Sequence, residues 1–91
     1  MISYTEEKNI INIAKHGLDL SIAQDVLAGI TVTLEDSREA YGEARYQTLG
    51  VYRGVVVMLV VHTPRLDTDH IISVRRATKH EQRYYWQNAI H

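Results

Sequence analysis

Two adjacent arginines, Arg75 and Arg76, close the strand-like run Ile71–Arg76 of this 91-residue chain. A planar guanidinium grips phosphate or carboxylate through two parallel hydrogen bonds, so Arg75 is a candidate anion ligand. A surface ion pair with Asp36, Glu43 or Glu81 is the plainer alternative. Alternation along a strand puts Ile71, Ser73 and Arg75 on one face and Ile72, Val74 and Arg76 on the other. The face with Ser73 is the more polar and is expected to lie uncovered, with Arg75 at its rim. Arg76, near the edge of the core, then needs a carboxylate partner or an exit to solvent.

Histidine is the other chemistry-bearing type, because its charge changes near neutrality. His16 follows Lys15 at a helix end, where the dipole favours its cation; taken alone it reads as a capping residue rather than a catalyst. His62 and His70 close and open successive strands and are expected to be neighbours, while His80 and His91 read as solvated positions of the last helix. No two of the five histidines stand three or four apart, so a metal site would have to assemble from distant elements, and no metal or other cofactor is expected. The chain has no cysteine, which excludes disulfides, thiolate ligands and cysteine nucleophiles. Ser21, Ser37 and Ser73 lack the glycine-flanked setting of a nucleophile elbow, and no glycine-rich phosphate loop occurs. Tyr84, Tyr85 and Trp86 beside Arg83 could stack bases. Helical spacing sends at least one of the three inward, and Trp86 is expected to be that one.

The elements that must position these groups are legible from periodicity. Thr5 caps a helix with Glu6 and Glu7 in its first turn; Ile10, Ile13 and Ala14 share one face, and Lys15, His16 and Gly17 end it. A second helix runs from about Ser21 to Leu27. Strands follow over 31–34, 45–52, 55–62 and 70–76, with a tight hairpin at Arg53-Gly54. Val55–Val61 is apolar throughout, the mark of a central strand, and is far short of the roughly 20 residues of a membrane helix. Thr78, with Glu81 three residues on, opens a last helix through a capping box. The order predicts one α+β domain over residues 1–91: two N-terminal helices, a four-stranded antiparallel sheet and a C-terminal helix. The N-terminus lacks the basic segment and apolar core of a signal peptide, so a cytoplasmic protein is expected. Net charge is −1 and the pI about 6.5, against a domain held to nucleic acid by bulk electrostatics. The charge is uneven, however: Glu35, Asp36, Glu39 and Glu43 oppose Arg38 in the middle, while Arg75, Arg76, Lys79 and Arg83 oppose only Glu81 at the C-terminal end.

Three segments, KNIINIAKHGLDLSIA (8–23), DSREAYGEARYQTLG (36–50) and IISVRRATKHEQRYY (71–85), resemble in order and spacing the BrnT family of bacterial toxins. Lys8, Asn12, Lys15, His16 and Gly17 fit the family's first motif; Asp36, Arg38, Tyr41, Gly42, Glu43 and Arg45 the middle one; Arg75, Arg76, Ala77, Thr78, Glu81 and Tyr85 the last. The family usually has aspartate where Thr5 stands and phenylalanine at Leu20. The resemblance implies a RelE-like fold and a ribonuclease of a type II toxin–antitoxin pair, silenced by a ribbon-helix-helix antitoxin, BrnA, with DNA contacted only through that antitoxin. It also implies cleavage without metal, by attack of the 2′-hydroxyl on its own phosphate, which would inhibit translation. Under that reading Arg75 and Arg45 suit the phosphate oxygens, His16 or Glu43 proton transfer, and Tyr85 base stacking or proton donation. Lys8, Lys15, Arg38 and Arg83 would bind RNA, and Arg76 would pair with Glu81 or Glu43 to hold the last helix. A non-catalytic antitoxin-binding module and a degenerate toxin are the alternatives.

Overall fold

The computed structural model describes residues 1–38, 40 and 42–89, so Tyr41 and His91 lie outside the described residues. Eight elements follow one another: β1 (Ile2–Ser3), α1 (Glu6–His16), α2 (Ile22–Ala28), β2 (Thr31–Glu35), β3 (Tyr46–Tyr52), β4 (Val56–Arg65), β5 (Thr68–Arg76) and α3 (Lys79–Asn88). The strands form one sheet in the order β1-β5-β4-β3-β2. The four expected strands pair antiparallel, and the α+β class stands. The sheet is nevertheless five-stranded and mixed, because β1 adds parallel to β5 through Ile2↔Asp69 and Ser3↔His70. Two residues are too few to show alternation, and their pairing depends on the distant β5. The β3–β4 hairpin turns on Arg53 and Gly54, both with positive φ (55° and 71°), the demand of a type I′ turn.

The central β4 feeds two cores. Met58 and Val60 join Leu18, Leu20, Ala23, Val26, Ile71 and Val74 on the side of α1 and α2; Val57, Leu59 and Val61 join Leu49, Ala77 and Tyr85 on the side of α3. At Gly50 the sheet approaches α2 closely, since a Cβ there would lie 2.9 Å from a methyl of Val26. No helix among the described residues is long and apolar enough to cross a membrane.

The docking of α1 departs from the expectation. Its caps are as read: Thr5 Oγ1 accepts from the Lys8 N–H at 3.2 Å, and Gly17 takes the left-handed position at φ 70°. Ile10 and Ile13, however, are exposed, and the buried residues of the helix are Asn9 and Asn12. The Asn12 amide donates to the carbonyls of Leu18 (2.8 Å) and Val74 (3.0 Å) and accepts from the Val74 N–H (3.1 Å). Asn9 accepts from the Leu20 N–H at 2.7 Å and donates to Asp19 at 3.2 Å. Beyond the β1 pairing, which ends with Ser3 opposite His70, β5 has no strand on that side among the described residues, and the Asn12 amide supplies the donor and acceptor a strand would have offered. Paired amides thus outweighed the apolar periodicity.

β5 also breaks its own alternation. Val61 pairs with Ser73 and His62 with Ile71, so Ile72 is an extra, bulged residue. Ile71 and Val74 consequently face the α1/α2 core, whereas Ile72, Ser73 and Arg75 turn to the opposite side. The expected grouping of Ile71 with Ser73, and of Ile72 with Val74, fails for this reason.

Replacing Asn12 by alanine strands a buried N–H and two carbonyls, and should cost about 3 kcal/mol or more at a penalty of about 1–3 kcal/mol for each unsatisfied group. Urea unfolding measures this; Ile10→Ser, on the exposed face, should shift the same midpoint by a small fraction of that amount.

Candidate active site

α3 begins at the end of β5 and is fastened across one end of the sheet. The Ala77 N–H donates to the Val57 carbonyl (2.9 Å), Thr78 and Glu81 complete a capping box, and the Tyr85 hydroxyl donates to the Ile30 carbonyl (2.8 Å). The helix therefore covers one part of its sheet face and leaves the rest open. There, Leu59, Val61, Ile72 and Ser73 floor a groove of about 330 Å³. One wall is α1, which presents Lys8, Ile11, Asn12, Lys15 and His16, and Arg38 and Arg75 complete the lining. Positions 8, 11, 12 and 15 follow the i, i+3, i+4, i+7 spacing of a single helical face, so the two lysines are co-aligned by the helix itself.

Each groove arginine is held by a carboxylate. Arg38 donates from Nε and Nη2 to the two oxygens of Asp36, both at 2.8 Å, and Asp36 is buried. These bonds hold the Asp36 carboxyl down to about 2. Arg75 donates to Glu81 from Nη1 (2.8 Å) and Nη2 (2.9 Å), and Nη1 also donates to the Arg76 carbonyl at 3.1 Å. Glu81 is likewise lowered to about 2, chiefly by Arg75, with burial opposing and the Thr78 N–H assisting. The Arg75 side chain is still 33% exposed and that of Arg38 65%, so both cations stay accessible from the groove while their orientation is set. The pKa of His16 is lowered from its ordinary value by burial first and then by Lys15 and Arg75. The helix dipole would favour the imidazolium, but desolvation and two neighbouring cations outweigh it.

Five residues expected at a site thus meet in one groove: Lys8, Lys15, His16, Arg38 and Arg75. Others do not. Glu43 pairs with Arg65 at 3.2 Å beside the β4–β5 hairpin. Arg45 stands just before β3, where its carbonyl accepts from the Asp36 N–H (2.7 Å), and is not a lining residue. Tyr85 lies in the α3 core with its hydroxyl engaged, which removes it from stacking or proton donation in the groove. Trp86, expected inside, is 52% exposed instead; the capping box and the Tyr85–Ile30 bond fix the phase of α3 so that Tyr85 turns inward. Arg83 lies with Trp86 in a separate cleft. The expected Arg76–Glu81 pair is not found, because Glu81 serves Arg75 and Arg76 is exposed.

The histidines of the sheet are structural. His62 and His70 are neighbours as expected, with His62 opposite Ile71 and Thr63 opposite His70. His62 is buried and bridges Thr48 Oγ1 (2.7 Å) and Asp69 Oδ1 (2.9 Å), tying β3, β4 and β5 together, and His70 meets Ser3 at 3.1 Å. Asn12 was visible in the sequence only as a motif position; a polar residue repeating with Lys8 and Lys15 along one face was the available signal. Among the described residues no three His, Asp or Glu side chains form a metal-holding group.

A family model described as the ribonuclease toxin BrnT of type II toxin–antitoxin systems matches residues 4–81. The chain belongs to the BrnT family. Its fold is similar to the crystal structure of the Brucella abortus ribonuclease toxin BrnT, with a TM-score of 0.63 and 27% identity over 86% of this chain and 96% of that one. Comparison with curated proteins returns no match. All five groove cations and proton carriers of this BrnT chain fall within the matched span, as do Asp36 and Glu81. Membership in a type II toxin family implies a cognate antitoxin.

The depressed Glu81 carboxyl contributes stability above its unfolded value near 4.5, and that contribution is lost as pH falls from there towards 2. Glu81→Gln should lower unfolding free energy at pH 7 by about 1–2 kcal/mol, allowing for solvent screening. Between pH 5 and 2 the variant should lose less stability than the parent, as followed by chemical unfolding at each pH.

Proposed function

We propose that this chain is a metal-independent endoribonuclease acting in the cytoplasm, where its cleavage of RNA inhibits translation. The observation that carries this reading is the convergence of Lys8, Lys15, His16, Arg38 and Arg75 on one open sheet face. Cleavage of this kind needs a base for the 2′-hydroxyl and cations around a phosphorus that becomes five-coordinate and gains charge. The groove holds residues of those types.

In the proposed reaction neutral His16 accepts the 2′-hydroxyl proton as that oxygen attacks the adjacent phosphorus. The bond to the 5′ oxygen breaks, leaving a 2′,3′-cyclic phosphate, and the departing 5′ oxygen takes a proton from a neighbouring lysine ammonium or from water. Arg75 and Arg38, oriented by Glu81 and Asp36, bind the phosphate oxygens, while Lys8 and Lys15 hold the chain on either side. The lowered His16 pKa suits a base, since most of it is unprotonated at neutral pH. The silencing partner is proposed to be a ribbon-helix-helix, BrnA-like antitoxin, through which alone the pair would touch DNA; the family match and the near-neutral net charge support this.

With purified protein and a synthetic RNA oligonucleotide, His16→Ala should cut the cleavage rate by about 10²- to 10⁴-fold, the range for loss of a general base. Its melting temperature should stay close to that of the parent. Parent activity should rise with pH through a value below 6.5 and then level, and should survive chelator. Cleavage of an oligonucleotide that is 2′-deoxy throughout, or loss of activity in EDTA, would overturn the mechanism.

A further inference from the structure

We infer that the outer face of α3 is a second, stacking subsite for single-stranded RNA, built on Trp86 and flanked by Lys79 and Arg83. This rests on the ribonuclease reading above and extends it to nucleotides beyond the scissile phosphate.

Lys79, Gln82, Arg83, Trp86 and Gln87 stand at i, i+3, i+4, i+7 and i+8, so they form one stripe along the helix, and together they line a shallow cleft of about 400 Å³. Trp86 is half-exposed, yet its ring is not loose: it meets the Tyr85 ring edge-on, with centroids 4.9 Å apart and planes at 77°. Tyr85 is itself anchored in the core by its hydrogen bond to Ile30, so a fixed ring orients the exposed one. Both charged residues that line the cleft, Lys79 and Arg83, are cations. Among the described residues no acidic side chain lines it, because Glu81, the sole acid of α3, is turned to Arg75.

The character of the lining selects the occupant. A protein segment anchors through apolar side chains in apolar pockets, but Trp86 is the only apolar residue here and its neighbours are two cations and two glutamines. A nucleotide offers what this surface can use: a π-face for the indole and phosphates for Lys79 and Arg83. Along the axis Lys79 and Trp86 are about 10 Å apart, enough for one or two nucleotides. The stripe also starts only four residues after the groove arginine, Arg75, in the helix that directly follows β5. A strand bound at Arg75 can therefore continue by way of Lys79 to Trp86.

Trp86 is the one tryptophan of the chain, so its fluorescence reports on this cleft alone. Titration of the full chain with an uncleavable 2′-deoxy oligonucleotide of about a dozen residues should quench the emission by stacking. Arg83→Ala should weaken that binding about 5-fold or more, as for loss of a desolvated cation contact. In cleavage assays Trp86→Ala should raise KM for a 12-residue RNA by about 5- to 100-fold, the range for one stacked base, while kcat and the KM for a dinucleotide stay unchanged and Trp86→Phe largely restores the parent value. Absence of quenching, equal effects on long and short substrates, or quenching by poly-glutamate but not by the oligonucleotide would overturn the subsite. Quenching by a chain that cuts no RNA would retain the stacking surface and sink only the catalytic reading.

Discussion

Three hydrogen bonds from one buried amide decide where the first helix of this protein lies. Asn12 treats Val74 as a neighbouring strand would, satisfying both its N–H and its carbonyl, and holds the Leu18 carbonyl as well. A purely apolar contact could slide along the sheet edge. A two-way amide pairing cannot shift by even one residue without leaving buried polar groups unmet. Because Lys8 and Lys15 lie on the same helical face as Asn12, their position over the groove follows from that pairing.

The arginines of the groove show the same logic by other means. A long cationic side chain in water samples many rotamers and loses that freedom on meeting a phosphate. Here Asp36 and Glu81 have already fixed much of it during folding, and they do so without neutralising the site, since Lys8 and Lys15 add two further charges. The protein can thus carry a local cationic site while its overall charge stays at −1. Glu81 has a second duty, because the same carboxylate accepts the Thr78 N–H at 2.8 Å and so starts α3. Loss of the Arg75 partner would be felt both at the groove and at the helix that borders it.

Most of the fold could be read from the chain. Caps at Thr5, Gly17 and Thr78, the hairpin at Arg53-Gly54 and the apolar run of β4 all carry short-range signals, and each stands where those signals put it. What escaped was set by partners distant in sequence. Ile10 and Ile13 had the spacing of a buried face, and only Val74, 62 residues from Asn12, makes the asparagine face the inner one. The inward turn of Tyr85 rather than Trp86 depends on Ile30 in the same way. At the groove, Lys8, Lys15, His16, Arg38 and Arg75 could be nominated from residue type and family motif, whereas nothing local announced that Glu43 would be drawn to Arg65 or that Glu81 would choose Arg75 over Arg76.

The extra residue in β5 divides that strand into two reading frames. Before Ile72 the side chains serve the histidine-bridged interior of the sheet; after it the parity is inverted, so that Ser73 and Arg75 serve the groove and the start of α3 while Val74 stays in the core under α1 and α2. The bulge thus lets nine consecutive residues supply both the frame of the molecule and the floor of its groove.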